Sequence, residues 1–135
     1  MSGWWFAAGC IALYVLIWFW FGRKWKRDAS ALAARRPNPT RAEFVALLSE
    51  DAGADIAEFL WDELAPYWDP GLTPHPDDDF VNDLPIDREE PQDWLERYCG
   101  AAGYDWKHWP EWDARWPTTV RQFSRWLAMR PEGRA

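Results

Sequence analysis

The acidic stretch of residues 77–96 is where this sequence concentrates side chains that can do chemistry. It holds nine carboxylates and one base, Arg88, and His75 lies just before it. Carboxylate and imidazole groups are ligands of hard and transition-metal cations. However, three adjacent aspartates cannot all face one ion, and the glycine turn of an EF-hand loop is missing. We therefore predict neither a metal site nor a cofactor here.

No other part of the sequence carries a catalytic motif. It has no nucleophile elbow, no phosphate-binding loop and no zinc-ligand spacing. The second histidine, His108, lies between Trp106 and Trp109, which favours packing against rings over catalysis. Cys10 and Cys99 fall in regions of different character, so neither a disulfide nor a cysteine-based metal site is predicted. The chain is therefore not predicted to be an enzyme.

Charge is divided unevenly along the chain. Residues 1–41 carry seven bases and one acid, a net charge of +6, and residues 42–135 carry eight bases and 21 acids, a net charge of −13. The 13 tryptophans and a hydrophobic content of 48% exclude a disordered acidic tail. The charge of −13 opposes binding to the phosphates of nucleic acid. The two parts are therefore predicted to have different roles.

Residues 3–22 contain no charged side chain. Twenty helical residues at ~1.5 Å per residue span the roughly 30 Å hydrocarbon core of a bilayer. Tryptophans lie at both ends, where amphipathic rings favour the lipid–water interfaces, and four bases follow the second end. We therefore predict one transmembrane helix that contacts membrane lipid through residues 3–22, with interface residues Trp4, Trp5, Trp18, Trp20, Arg23, Lys24, Trp25, Lys26 and Arg27.

The basic run at residues 23–27 sets the predicted orientation. Because cytoplasmic flanks carry the excess of Lys and Arg, we expect the N-terminus outside and the C-terminal part in the cytoplasm. A cleaved signal peptide would place its bases before a shorter apolar core. A lipoprotein cleavage site at Cys10 would leave too short a leader, without any base. Both alternatives are disfavoured.

The chain divides into three predicted segments. Residues 1–27 form the membrane helix with its basic flank, residues 28–39 a short stalk, and residues 40–135 a cytoplasmic helical domain. The alanines of the stalk can continue the membrane helix, and Pro37 and Pro39 then stop it. No segment has the period-two alternation of a strand bounded by hairpin turns, so the fold class is predicted to be all-α.

The first helix of the domain begins at a recognisable cap. Thr40 and Glu43 have the spacing of a capping box, and Gly53 ends the pattern. Its apolar residues are predicted to share one face: Phe44, Leu47 and Leu48.

The second helix covers residues 55–68. Asp55 and Glu58 repeat the capping-box device, and Pro66 is predicted to bend or end the helix. The proline-rich segment 69–86 that follows is predicted to be an ordered loop, because it carries its own apolar anchors: Leu72, Phe80, Val81, Leu84 and Ile86.

The third helix is predicted to start at Asp87, whose carboxylate can cap it. Glu89 and Glu90 favour the positive end of the helix dipole, Pro91 falls in the first turn, and Gly103 ends the helix. An aromatic connector, residues 104–116, follows, with tryptophans at a helix-like spacing that favours packing: Trp106, Trp109, Trp112 and Trp116. The closing helix has a threonine cap and one apolar face: Val120, Phe123, Trp126 and Leu127.

The order of these elements and two short motifs resemble an acyl carrier protein, a small bundle of four helices. The loop before the second helix of a carrier typically reads F-V-x-D-L-G-x-D-S-L, and its last helix often begins T-T-V. The chain matches these motifs in register at Phe80, Val81, Asp83, Leu84, Asp87, Thr118, Thr119 and Val120. The resemblance covers residues 55–130. It is closer to a group of uncharacterised bacterial carrier-like proteins that have lost the D-S-L signature and carry an aromatic-rich segment after the second helix.

The chain departs from the carrier motif where the prosthetic group would be attached. A carrier esterifies phosphopantetheine to a serine directly after the aspartate, and this chain has Arg88 there. A guanidinium group cannot accept the phosphoryl group, so we expect no cofactor. The resemblance also implies an acidic helix that docks onto the basic patch of an unidentified partner protein, through Asp83, Asp87, Glu89, Glu90, Asp93 and Glu96.

Two interpretations of the domain remain open at this level. One is a single-pass protein that presents the non-acylated domain as a protein-interaction module, an adaptor or a regulator. The resemblance to bacterial proteins implies that its membrane is the inner membrane of a bacterium. The other is a genuine carrier or enzyme accessory subunit that is modified at another residue. For the acidic helix itself, a solvated set of capping charges is the alternative to a docking face.

Overall fold

The computed structural model describes residues 2–68, 71–83, 86 and 89–131, except for the side chains of Ser2 and Trp25. Helices are the only regular elements in these ranges. No strand occurs in these ranges, which confirms the predicted all-α class. The chain forms two compact units, Met1–Arg36 and Pro37–Ala135. The helices are α1 Ser2–Arg35, α2 Arg41–Ala52, α3 Ala54–Trp68, α4 Glu90–Ala102 and α5 Val120–Leu127, with a short 3-10 turn at Trp106–His108.

The first unit is the single helix α1, which is long and apolar enough to cross a bilayer. Its 34 residues extend for roughly 50 Å, so it continues well beyond a hydrocarbon core of about 30 Å. The predicted interface residues Trp4, Trp5, Trp18, Trp20, Arg23, Lys24, Lys26 and Arg27 are all exposed on it. The side chain of Trp25, the remaining interface prediction, lies outside the described part of the chain.

The capping box predicted for α2 is confirmed. The Glu43 N–H donates to Thr40 Oγ1 over 3.2 Å, and the Thr40 N–H donates to Glu43 Oε2 over 3.3 Å. Phe44 and Leu48 are fully buried, but Leu47 is 43% exposed, so its predicted place on the core face is wrong. The buried stripe follows the i, i+4 row, and the side chain at 47 points about 100° away from its neighbour at 48.

Helix α3 starts one residue earlier than the sequence suggested. Gly53, at a φ of 92°, ends α2, and its carbonyl accepts from the Ala57 N–H over 3.1 Å in the first turn of α3. Asp55 therefore lies inside the first turn, and its predicted role as a cap is wrong; its carboxylate instead accepts from Arg130 Nη2 over 2.6 Å. Pro66 does not end the helix, which continues to Trp68.

Helix α4 begins at Glu90, three residues after the predicted start at Asp87, and Pro91 falls in its first turn as predicted. Glu89 occupies the N-cap position but makes no side-chain cap bond there. The predicted cap, Asp87, lies outside the described residues. The helix ends as predicted at Gly103, whose left-handed φ of 82° lets its N–H donate to the Cys99 carbonyl over 2.9 Å.

The core of the second unit is held by aromatic rings that meet edge to face. Trp94 on α4 is 1% exposed, and its ring centroid lies 6.1 Å from that of Tyr67 on α3 and 5.6 Å from that of Phe123 on α5. A second contact joins Tyr98 on α4 to Phe59 on α3 at 5.3 Å. Rings of this size bury large apolar areas, so α4 is fixed between its two neighbours.

The tryptophan-rich connector is attached to α5 by two reciprocal hydrogen bonds. Trp109 Nε1 donates to the Trp126 carbonyl over 3.1 Å, and Trp126 Nε1 donates to the Pro110 carbonyl over 2.7 Å. Trp109 is buried, as its spacing suggested, but only residues 106–108 form a helical turn. His108 is exposed and 3.0 Å from the Asp105 carboxylate, so its predicted packing against rings is wrong.

The closing helix matches its prediction. Thr119 caps it by accepting the Gln122 N–H over 3.2 Å. The apolar face is buried as expected: Val120, Phe123, Trp126 and Leu127.

Candidate functional site

The three consecutive aspartates that precede α4 contact three different groups. Asp77 accepts from Arg121 Nε over 2.9 Å. Asp78 is 1% exposed, and one of its oxygens accepts from Trp68 Nε1 over 2.9 Å and from the His75 N–H over 3.0 Å. A buried carboxylate of this kind is stabilised only by such donors, so Asp78 joins the loop to the end of α3.

Asp79 organises the turn that follows. Its carboxylate accepts from Thr118 Oγ1 over 2.6 Å, from Asn82 Nδ2 over 2.7 Å and from the Val81 N–H over 2.9 Å. Burial alone would raise the pKa of Asp79, but the hydrogen bonds from Thr118 and Asn82 outweigh it and hold this pKa below its ordinary value. Asp79 also pairs with Thr119 in an isolated antiparallel bridge, which fixes the loop to the start of α5.

This geometry does not assemble a cation site from the aspartates. His75 Nδ1 accepts from the Asp77 N–H over 3.1 Å, so this ring nitrogen faces the backbone. In the described ranges no group of three or more potential ligands lies close enough together to hold a metal ion.

Asp83 belongs with this structural group rather than with α4. It is half-buried, and its carboxylate accepts from the Asp79 N–H over 2.9 Å while its own N–H donates to the Asp79 carbonyl over 2.8 Å. Asp83 therefore holds the loop, and its role in partner binding stays a prediction. Two other residues singled out from the sequence, Asp87 and Arg88, lie outside the described part of the chain.

The carboxylates of α4 face a different environment. Glu89, Asp93 and Glu96 are exposed, and Gln92 Nε2 donates a hydrogen bond to Glu96 Oε1 over 3.2 Å. Glu90 is half-buried beside Tyr67: burial raises the pKa of the Tyr67 phenol, and its hydrogen bond to Glu90 raises it further. We call the exposed three, Glu89, Asp93 and Glu96, the acidic face of α4.

The described arginines of the second unit form ion pairs with carboxylates that do not belong to the acidic face of α4. Arg97, the base on α4, contacts Glu63 on α3 at 2.9 Å. Arg121 and Arg125 on α5 both bind Asp51 at the end of α2. The remaining pairs are Arg41 with Asp62, Arg115 with Asp113, and Arg130 with Asp55. Arg97 also interacts electrostatically with Asp93, but the acidic face of α4 still holds three carboxylates against this one arginine in the described ranges, so its net potential is negative.

The Asp51 contacts also hold α2 to α5. Burial would raise the pKa of Asp51, but hydrogen bonds from Arg125 and Arg121 more than offset it and lower this pKa below its ordinary value. The side chain of Asp51 is only 12% exposed, and that of Arg121 is 27% exposed. Asp51, Arg121 and Arg125 therefore form a structural ion-pair cluster that joins α2 to α5.

An apolar pocket of about 320 Å³ lies at the beginning of α4. We call it the aromatic pocket, and its described lining is Phe80, Val81, Ile86, Pro91, Gln92, Trp112, Thr118, Phe123 and Trp126. Four rings from three segments form one wall: Phe80 is 6.3 Å from Trp112 and 5.8 Å from Phe123, and Trp112 is 5.4 Å from Trp126, between centroids. The site is built from the loop, the connector and two helices together.

The aromatic pocket and the acidic face of α4 adjoin each other. Pro91 and Gln92 line the pocket, and Gln92 is hydrogen-bonded to Glu96 of the face. On another side, Thr118 lines the pocket and donates to Asp79. The described lining contains no charged side chain. Two of its polar residues, Gln92 and Thr118, are hydrogen-bonded to the carboxylates of Glu96 and Asp79. The arrangement can accept an apolar group that is flanked by positive charge.

Sequence reasoning identified the acidic face but not the pocket. Phe80 was expected to be a buried anchor, which is confirmed, but Val81 was expected to be one too and is 58% exposed at the pocket. Leu84, another predicted anchor, lies outside the described residues. The signal that could have revealed the pocket was the connector itself, because Trp112 supplies a ring that the loop and α5 enclose. No protein-family model, curated protein or solved structure matches the chain.

Proposed function

We propose that this protein is a single-pass membrane protein that presents its helical domain as a protein-interaction module, with the acidic face of α4 as the docking surface for a basic partner. The observation that carries the proposal is the exposure of Glu89, Asp93 and Glu96 on one helix whose only described arginine is paired with another helix. Exposed charge of one sign steers association and selects a partner of the opposite sign. An adaptor or a regulator fits this surface.

The three serines that follow the membrane segment give little support to the alternative, a carrier modified at another residue. Ser124 is fully buried and its hydroxyl donates to the Arg121 carbonyl over 2.6 Å. The Ser49 hydroxyl donates to the Val45 carbonyl within α2. Ser30 lies on α1, outside the second unit. A phosphopantetheine arm needs an accessible hydroxyl at a helix start that can hold phosphate, and these positions do not combine those features.

The carrier alternative has a direct test. Intact mass is measured after co-expression of the full chain with a promiscuous phosphopantetheinyl transferase. We expect an unmodified mass. A phosphopantetheine adduct would overturn the proposed non-acylated module, and peptide mapping would identify the hydroxyl that carries it.

The membrane part of the proposal places α1 across the inner membrane of a bacterium, with the N-terminus outside and the helical domain in the cytoplasm. The basic residues that follow the apolar segment support this orientation. A reporter that is active only in the cytoplasm, fused after Ala135, should be active, and one that is active only outside should be silent. The opposite pattern would overturn the orientation.

The docking surface is tested by charge reversal. Asp93→Lys/Glu96→Lys in the full chain should abolish capture of the partner from native membranes, because it replaces two attractive charges by two repulsive ones. The matched control is Glu50→Lys/Glu58→Lys, which makes the same change in net charge at exposed positions on α2 and α3. Equal capture by wild type and by the α4 variant would count against the docking surface.

A further inference from the structure

We infer that the aromatic pocket receives one large apolar side chain from a Lys- or Arg-rich segment of the partner protein, next to the acidic face that binds the basic residues around it. This inference rests on the proposed function and deepens it. The acidic face accounts for attraction between the two proteins, and the pocket accounts for a fixed register between them. Interfaces usually place most of their binding energy in a few such buried anchors.

The size of the pocket fits one side chain better than a larger ligand. Its volume of about 320 Å³ lies at the lower limit of the roughly 300 to 1,000 Å³ of small-molecule sites. Its walls include Phe80, Trp112 and Phe123, which offer ring faces and edges to an aliphatic or aromatic group. Gln92 and Thr118 supply the polar groups in the lining that can hydrogen-bond to a peptide backbone.

The charges around the pocket select the chemistry of the occupant. The Asp79 carboxylate accepts a hydrogen bond from Thr118 Oγ1 over 2.6 Å, and the Glu96 carboxylate accepts one from Gln92 Nε2 over 3.2 Å. A fatty acid or an anionic lipid would bring a negative headgroup towards these carboxylates, which is unfavourable. Flanking Lys or Arg residues would instead interact with the acidic face while the apolar side chain is buried. Charge complementarity therefore favours a basic protein segment.

The test places a photoreactive residue at the pocket of the full chain in native membranes. Gln92→p-benzoylphenylalanine puts the probe in the lining, and Leu47→p-benzoylphenylalanine is the control on the exposed surface of α2. After irradiation the adduct is sequenced by mass spectrometry. We expect a specific adduct at 92 alone, to an apolar residue with at least two Lys or Arg residues among its near neighbours. A lipid adduct, a second copy of this chain, a segment without basic residues, or no adduct would each overturn the inference.

A blocking variant separates this inference from the proposed function. Val81→Trp adds a large ring at the exposed rim of the pocket, and Leu47→Trp is its control. With the probe at 92, Val81→Trp should lower the adduct yield roughly tenfold, because an apolar side chain loses its burial. Near-UV circular dichroism confirms that the blocked variant is folded.

The two kinds of variant give distinguishable outcomes. If Asp93→Lys/Glu96→Lys abolishes capture but Val81→Trp changes neither capture nor adduct yield, the acidic docking face stands and the pocket inference fails. If neither variant changes capture, both proposals fail. Loss of capture with both variants supports the two together.

Discussion

Asp78 and Asp79 come from the same acidic stretch as the acidic face of α4 but differ from it in burial and in hydrogen bonding. Asp78 and Asp79 are held by indole, hydroxyl and backbone donors of the surrounding fold. Glu89 and Asp93 are exposed on a helix. Like charge in the sequence therefore does not mean a like environment in the structure. The deciding factor is whether the fold supplies donors to the carboxylate or leaves it facing water.

The comparison also explains how so acidic a domain folds. Carboxylates in the loop replace the regular hydrogen bonds that a helix or a strand would supply, so their charge is used for local structure. On α4 the acids near the N-terminal end interact favourably with the helix dipole, and this interaction does not require their burial. The face can therefore remain available to a partner without weakening the helix that carries it.

The largest effect is expected when the buried carboxylate of Asp78 is removed. Asp78→Ala leaves Trp68 Nε1 and the His75 N–H without this acceptor, at a cost of about 3 kcal/mol in the free energy of unfolding. Urea unfolding of the full chain in detergent, followed by near-UV circular dichroism, measures it. Asp78→Asn retains an acceptor oxygen and should lose less. A loss below 1 kcal/mol for Asp78→Ala would contradict its structural role.

The next effect concerns the link between α2 and α5. Asp51→Asn weakens charged hydrogen bonds from Arg121 and Arg125 and should cost about 2 kcal/mol of unfolding free energy. Thermal unfolding of the wild type and of the variant at neutral pH checks this. Glu50→Gln, at the exposed neighbouring position, is the matched control and should leave the midpoint unchanged.

Acidification should reveal the contribution of two structural carboxylates, Asp51 and Asp79. Because the pKa values of Asp51 and Asp79 lie below their ordinary value of 3.8 in the folded chain, their contribution is complete above about pH 4 and is lost as pH falls through the folded values. Stability measured from pH 6 down to pH 2 should therefore fall in this window. Asp79→Asn, which we expect to cost about 1 kcal/mol at pH 7, should flatten part of the fall. An identical pH profile for wild type and variant would argue against it.

The smallest effect is expected on the acidic face. Asp93→Ala and Glu96→Ala should change the unfolding free energy by less than about 0.5 kcal/mol, because exposed side chains of this kind contribute little to stability. The same urea experiment provides the measurement. A loss comparable to that of Asp78→Ala would mean that these side chains are structural and that the contrast between the two groups is false.

Much of the fold followed from local sequence signals. Thr40 with Glu43 and Thr119 with Gln122 are caps whose bonds lie within one turn, and Gly103 ends α4 for a purely local reason. The long uncharged segment of α1 was equally direct. Such features depend on neighbours in sequence, which is why they could be predicted.

The wrong cap at Asp55 and the missed aromatic pocket both concern contacts between distant segments. Asp55 was assigned to a cap, but Gly53 supplies the start of α3 and the Asp55 carboxylate meets Arg130, 75 residues away. The aromatic pocket was missed because it needs a loop, an irregular connector and two helices in one place. Periodicity reports one face of one helix, and it contains no information about which irregular segment covers that face.

The comparison between the two acidic groups can be tested directly by carboxyl footprinting. Carbodiimide-mediated labelling, read by mass spectrometry, is applied to the full chain in native membranes and to the purified chain in lipid nanodiscs. We predict that Asp78 and Asp79 are protected in both samples, whereas Glu89, Asp93 and Glu96 are labelled in the purified chain and protected in native membranes by the bound partner. Equal labelling of the α4 carboxylates in both samples would contradict the account.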